Sequence, residues 1–135
     1  LPLVNVVSQD IGRVLLNVVN NAFQACKEKF ERLKSESQKD YKPFVIVSTK
    51  YIASLPAGEA GRCEICISDN GPGIPDSIKD KIFQPFFTTK PNGQGTGLGL
   101  SLSYDIIKAH NGALKVETKE GEGTTFTILF NTKSV

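Results

Sequence analysis

Apolar residues recur at helical spacing near the start of the chain. With about 100° per residue, Ile11, Val14, Leu15, Val18, Val19, Ala22, Ala25 and Cys26 fall on one stripe, while Asn17, Asn20 and Gln24 fall off it. Ser8, Gln9 and Asp10 stand just ahead as N-cap candidates, so the pattern predicts a helix starting near Ile11, after a short β-like run over residues 3–7. Phe30 and Leu33 prolong the stripe until Lys39-Asp40-Tyr41-Lys42-Pro43 ends it. Asn21 sits at the edge of the stripe, where a short amide looks into a cleft beside the helix. An Asn tolerated on a helix flank is the plain alternative.

The period then changes from helical to extended. Residues 44–52 are β-rich, residues 55–61 form a turn-prone connection and residues 62–68 alternate again, which predicts a hairpin. Residues 76–83 suit a short helix. Residues 84–99 carry Pro85, Pro91, Gly93, Gly95, Gly97 and Gly99 and read as a long functional loop. Residues 100–110 return to helical spacing, with Asn111-Gly112 as the stop. Residues 113–118 and 124–130 flank the turn Lys119-Glu120-Gly121-Glu122-Gly123, a second hairpin. Neither a repeat nor a linker divides the chain, so residues 1–135 read as one α/β domain.

Composition narrows the class. The chain has 135 residues, 39% hydrophobic and 22% charged, which suits one globular domain. A net charge of +2 is far from the basic footprint of a nucleic-acid binder. The mixed charges from Lys27 to Lys42 read as a solvated face. No stretch approaches the roughly 18 apolar residues of a membrane span, and the first residues lack a basic leader, so no membrane contact is expected of this segment. Cys26, Cys63 and Cys66 do not make a disulfide framework and suit a reducing compartment. Cys63 and Cys66 lie three apart on a predicted strand, so they point to opposite faces and cannot share an ion.

Three polar or glycine-rich elements carry candidate chemistry: Asn21, Asp69-x-Gly71-x-Gly73 at a strand end, and Gly95-Thr96-Gly97-Leu98-Gly99-Leu100 opening a helix. The last is neither a dinucleotide fingerprint, since no strand precedes it, nor a Walker A loop, since Gly-Lys-Ser/Thr is absent. Glycines do let a backbone approach phosphate, and a helix N-terminus adds free N–H groups, so this run reads as an anion cradle. Asp69, as a carboxylate, is only an acceptor. That suits the amino group of adenine and not the carbonyl of guanine.

The segments 16–22, 69–74 (Asp-Asn-Gly-Pro-Gly-Ile), 82–90 (Ile-Phe-Gln-Pro-Phe-Phe-Thr-Thr-Lys) and 95–100 resemble, in order, the N, G1, F and G2 boxes of two-component sensor histidine kinases. The resemblance spans about residues 4–130 and implies the catalytic and ATP-binding domain, a Bergerat-type two-layer α/β sandwich. Its mixed, mainly antiparallel sheet would be covered by helices on one face, with a lid near residues 84–98. By the same resemblance, Asn21 ligates Mg²⁺ and Asp69 reads adenine, supported by Gly71, Gly73, Ile74 and Thr124. Gly95, Thr96, Gly97, Leu98, Gly99 and Leu100 hold phosphates, Phe83, Phe86 and Phe87 anchor the lid, and Lys90 approaches the terminal phosphates. Asn17 borders the same nucleotide site. Packing alone is the other reading for at least two of the phenylalanines.

Related ATPases of the gyrase, chaperone and mismatch-repair type carry a Glu four residues before the Mg-binding Asn, where this chain has Asn17. An amide cannot act as a general base, so hydrolysis is the weaker expectation. A neutral imidazole brings its own lone pair, so transfer of the γ-phosphate to a histidine needs alignment and charge neutralisation more than a base. His110, the one histidine, falls at a predicted helix C-terminus, a structural position. The resemblance therefore implies a phosphoacceptor histidine on a dimerisation domain expected upstream, a downstream response regulator and a cytoplasmic location. A nucleotide-binding regulatory module that transfers nothing stays open at this point.

Overall fold

A computed structural model describes residues 6–36, 40–53, 61–87 and 99–131. In chain order the elements are α1 (Ser8–Ser35), β1 (Val45–Ile52), β2 (Arg62–Asp69), α2 (Asp76–Lys79), α3 (Gly99–Ala109), β3 (Ala113–Lys119) and β4 (Gly123–Asn131). The strands form one sheet in the order β1-β2-β4-β3, and every pairing is antiparallel. Helices α1 and α3 pack against each other, α1 over β2 and α3 over β3. The result is the expected two-layer α/β sandwich.

Period-two alternation decides which side of the sheet the helices cover. Along β4, Thr124, Phe126, Ile128 and Phe130 are buried, and along β2 Cys63, Ile67 and Asp69 are. These meet the stripe of α1, where Ile11, Val14, Val18, Ala22 and Cys26 are buried, and Ile107 of α3. Burying each large aliphatic side chain contributes roughly 1.5–3 kcal/mol, which is what holds the layers together. On the other side the sheet is polar, as in the 2.7 Å bond between Ser68 Oγ and Thr125 Oγ1. Strand β1 is an edge and leaves Ile46, Val47 and Tyr51 exposed.

Two boundaries differ from the sequence expectation. Helix α1 begins at Ser8, with Val7 at the cap position and no side-chain cap bond. The entry is fixed from a distance instead: the Val7 N–H donates to His110 Nε2 at 3.0 Å, and the His110 Nδ1–H donates to Ile106 O at 2.8 Å. The β-like run over residues 3–7 lies outside the described residues except Val6 and Val7, which are not in a strand. Helix α2 is also shorter than expected, four residues in place of residues 76–83. Beyond it the chain continues in turns closed by bonds from Lys81 N–H to Ile78 O, Gln84 N–H to Lys81 O and Phe87 N–H to Gln84 O. Only Ile82 of this stretch is buried, too little apolar surface to hold further helical turns.

Asn111-Gly112 ends α3 as expected. Asn111 takes the left-handed conformation (φ 58°), and the Gly112 N–H reaches back to Ile107 O at 2.9 Å. Gly112 is required for close approach, since a Cβ there would lie 2.4 Å from Leu129 O.

Candidate functional site

Asp69 ends β2 on the buried face, and the strand register places Thr124 of β4 opposite it and Thr118 of β3 opposite Thr124. Asp69 Oδ1 accepts the Gly71 N–H at 2.9 Å, and the Thr124 N–H also bonds the carboxylate. Thr118 Oγ1 accepts the Ile74 N–H at 2.8 Å and lies 2.9 Å from Thr124 Oγ1. Burial pushes the Asp69 carboxyl above its ordinary range, while those two N–H groups and the Lys29 ammonium pull it back. An open cavity of about 350 Å³ adjoins Asp69 and Thr124 from the β3–β4 hairpin side, where Glu117, Thr118, Lys119 and Glu122 line it, and neither Asn21 nor Gly71, Gly73 or Ile74 does. Asp69 itself, buried and hydrogen-bonded, is equipped to receive one further donor.

The glycines of this region are demanded by packing. A Cβ on Gly71 would lie 2.9 Å from the Ala25 Cβ of α1, and one on Gly73 (φ +72°) would lie 2.3 Å from Lys119 O. The 69–73 turn is thus wedged between α1 and the β3–β4 turn, to which the Gly121 N–H to Pro72 O bond (2.7 Å) ties it. Glycine here aims Asp69 by letting backbones touch.

Residues 17, 21 and 25 recur every four along α1 and share one side of it. At one end, Asn17 Nδ2 donates to Gly99 O (3.5 Å) and Ser103 Oγ (3.4 Å) at the start of α3. At the other end, Ala25 touches the Gly71 turn beside Asp69. Asn21, partly exposed, stands between them, so one helix side links the opening of α3 to the acid. Among the described residues a Cβ at Gly99 would meet only Asn17 Cγ, at 3.9 Å. Leu100 packs against the core. Lys90, Gly95, Thr96, Gly97 and Leu98 lie outside the described residues.

Asn17 is therefore engaged in joining α1 to α3. Both bonds are long, and Asn17→Ala is expected to lower folding stability by about 0.5–1.5 kcal/mol, read from urea unfolding.

Of the three phenylalanines, Phe83 stacks near Tyr104 (5.3 Å between ring centres) and edge-on to Phe126 (6.4 Å), and Phe87 also packs on the core. Phe86 is 74% exposed and adopts φ 64°. Two of the three thus serve packing, and the third is held in a backbone region that bulky residues rarely adopt. Cys26, Cys63 and Cys66 are free thiols; Cys63 is buried and Cys66 lies on the opposite side of β2.

The segment from Lys27 to Lys42 is the solvated face expected of it at Lys27, Glu28, Glu31, Arg32 and Lys34, with two exceptions. Lys29 and Tyr41 turn inward onto the 69–73 turn, and Asn70 joins them: its Oδ1 accepts the Phe44 N–H at 2.9 Å and its Nδ2 donates to Lys42 O at 2.9 Å. Burial, with a smaller contribution from Cys26, pushes the Tyr41 hydroxyl above its ordinary range, so it stays a donor. Sequence reasoning missed Lys29, Tyr41, Asn70 and Thr118. Only Thr118 left a trace, as the hairpin partner of Thr124. Donor chemistry at Asn21 also fits Mg²⁺, which takes one or two protein oxygens and completes its shell with phosphate and water.

Residues 6–134 match the family described as histidine kinase-, DNA gyrase B- and HSP90-like ATPase. The signal transduction histidine-protein kinase AtoS of Escherichia coli is 40% identical over 119 residues, 88% of this chain and 16% of that protein. The sensory histidine kinase/phosphatase NtrB of Vibrio alginolyticus is 35% identical over 132 residues, 95% of this chain and 33% of that one. The chain thus spans a third or less of the length of these relatives. Among solved structures, the catalytic domain of histidine kinase ThkA superposes with a TM-score of 0.69 at 28% identity, covering 97% of this chain and 73% of that one. A mycobacterial sensor histidine kinase, MprB, gives 0.65 at 28% identity, covering 98% and 76%. With a family match over nearly all its length and the acid, glycine turn and helix-borne amide in place, the chain belongs to the histidine kinase-, DNA gyrase B- and HSP90-like ATPase family, on the histidine-kinase side of it.

Proposed function

We propose that this chain is the Mg-ATP-binding catalytic domain of a sensor histidine kinase, passing the γ-phosphate of ATP to a histidine on a dimerisation domain of the same parent protein. The observation that carries the reading is the side of α1 that runs from Asn17 at the opening of α3, past Asn21, to Ala25 against the turn of the buried Asp69. Adenine then lies at Asp69, with Gly71, Gly73, Ile74 and Thr124 shaping its pocket and Thr118 supporting Thr124. The triphosphate extends past Asn21 toward the α3 N-terminus, where Gly95, Thr96, Gly97, Leu98 and Gly99 offer backbone N–H groups and Lys90 a positive charge. Phe83 and Leu100 back this pocket from the core.

When bound, Mg²⁺ neutralises charge on the β- and γ-phosphates. Asn21 offers it an amide oxygen. Asp69 and its threonines orient the base, and the α3 N-terminus orients the phosphates. An imidazole nitrogen of the acceptor forms the new N–P bond as the bond from the γ-phosphorus to the β–γ bridging oxygen breaks and ADP leaves. With its amide tied to α3, Asn17 contributes no base for water. That favours phosphoryl transfer over hydrolysis. A response regulator receives the phosphoryl group in turn, in the cytoplasm; among the described residues no helix is long and apolar enough to cross a membrane.

Asn21→Asp places a carboxylate against the polyphosphate and is expected to lower transfer of radiolabelled phosphate to a supplied phosphoacceptor domain by about a hundredfold or more. Rapid ATP hydrolysis by the chain, with the acceptor domain left unlabelled, would overturn the reading.

A further inference from the structure

Lys29 lies two turns beyond Asn21 on α1, and its ammonium meets three main-chain carbonyls: Gly121 O at 3.0 Å, Asn70 O at 3.3 Å and Gly71 O at 3.5 Å. It also sits 4.9 Å from the centre of the Tyr41 ring, whose hydroxyl donates to the same Asn70 O at 2.9 Å. An ammonium has three donors and no acceptor, so this seat uses its full capacity. The three carbonyls belong to the two turns that bracket Asp69, the 69–73 turn and the β3–β4 turn. Among the described residues Lys29 forms no direct ion pair, and its charge acts on Asp69 from a distance.

We propose that Lys29 is a positioning residue for base recognition: it clamps the two turns that aim Asp69, and so sets the preference for a 6-amino over a 6-oxo purine. The inference rests on Asp69 reading the base, as argued above. Carbonyl dipoles of adjoining turns repel one another unless a cation lies between them, and a lysine fixed to α1 supplies that cation permanently. The groups around Asp69 are Lys29 and Cys26 from α1, Tyr41 from the connection after it, and Glu117, Lys119 and Glu122 from the hairpin beside the same cavity. After the Gly71 and Thr124 N–H groups, Lys29 is the cation that partly offsets the cost of burying the carboxylate.

The test is calorimetric titration of the chain with Mg-ATP and Mg-ITP from pH 8 down to about 5.5, a range above the ordinary carboxylate pKa. Lys29→Met is expected to weaken ATP about tenfold and to leave ITP nearly unchanged, because one charge-assisted contact to the aiming turns is lost. The acid limb of ATP binding should also move to higher pH. Lys29→Arg should restore both the preference and the limb. A Lys29→Met variant with the parental ATP-to-ITP ratio and pH limb, or one weakened equally for both nucleotides, overturns the proposal. Asp69→Asn run in parallel separates the failures: if it too leaves the ratio unchanged, base reading by Asp69 falls and takes this role with it. If it collapses the ratio while Lys29→Met does not, only the role of Lys29 falls. Should Lys29→Met not fold, as judged by circular dichroism, Lys29→Gln removes the charge and keeps a donor, and the same two outcomes decide.

Discussion

Replacing Asp69 by asparagine is expected to weaken ATP binding by about ten- to a hundredfold, the worth of one charge-assisted hydrogen bond to a buried carboxylate. The fold should hold, because the asparagine Oδ1 still accepts the Gly71 N–H and a costly buried charge has been removed. The pH dependence separates the two roles of the carboxylate. Burial raises its pKa in the folded state. Binding needs the ionised form, so ATP affinity should fall as pH drops through that raised pKa, above the ordinary carboxylate range. Folding responds with the opposite sign: the contribution of Asp69 to stability is fully present below the unfolded value of about 3.9 and is lost as pH rises through the folded one. Asp69→Asn should flatten its share of both curves. An ATP affinity in the variant equal to that of the parent, measured by calorimetry at pH 7, would show that the base is read elsewhere.

Gly123→Ala should have the largest effect on the fold. Its φ is +144°, and a Cβ would stand 2.1 Å from Asp69 O and 3.1 Å from Asn70 Cα. Neither atom can yield without moving the end of β2 and the turn that carries the acid. The expected cost is about 2–4 kcal/mol, from strain and displaced backbone together, with a fall in melting temperature on the order of 10 °C. Two other glycines serve as internal comparisons. Gly121 also has a positive φ, +86°, but its Cβ would meet nothing within 4 Å. Gly121→Ala should therefore cost only conformational strain, about 1 kcal/mol. Gly12 lies inside α1 with open space around it, so Gly12→Ala should stabilise by roughly 0.5–1 kcal/mol. Thermal melts that rank the three in another order would show that close approach is not what the β4 glycine provides.

Val7 and His110 tie the start of α1 to the end of α3. Chain reaching α1 from the N-terminal side is tied by this bond to the end of α3, the helix whose other end opens next to Asn17. The His110 Nδ1–H donates to Ile106 O, and Nε2 accepts from the Val7 N–H. This bonding gives the sole histidine a structural role where the helix ends.

Local signals were enough for the layered architecture. The 3.6-residue stripe from Ile11 to Cys26 and the alternation along residues 62–68 and 124–130 survive in the fold, because one buried side per element is a property of the chain's own pattern. The glycine turn after Asp69 was legible for the same reason, as a strand end followed by residues that only a turn accepts. Element ends were less legible. Val7 replaced the expected Ser8, Gln9 or Asp10 cap because a histidine 103 positions away holds its N–H, and no local rule sees that partner.

The acid-bearing turn, the amide helix and the order of the elements were written in the sequence, since each depends on spacing within a few residues. Tertiary structure alone decided that Lys29 and Tyr41, both partly buried, reach across to hold that turn, that Asn17 spends its amide on α3, and that Thr118 stands beside Thr124. The physical reason is that a polar side chain's partner is set by what lies opposite once the sheet and helices have met, and in a sequence a lysine bound to three carbonyls looks the same as one bound to water.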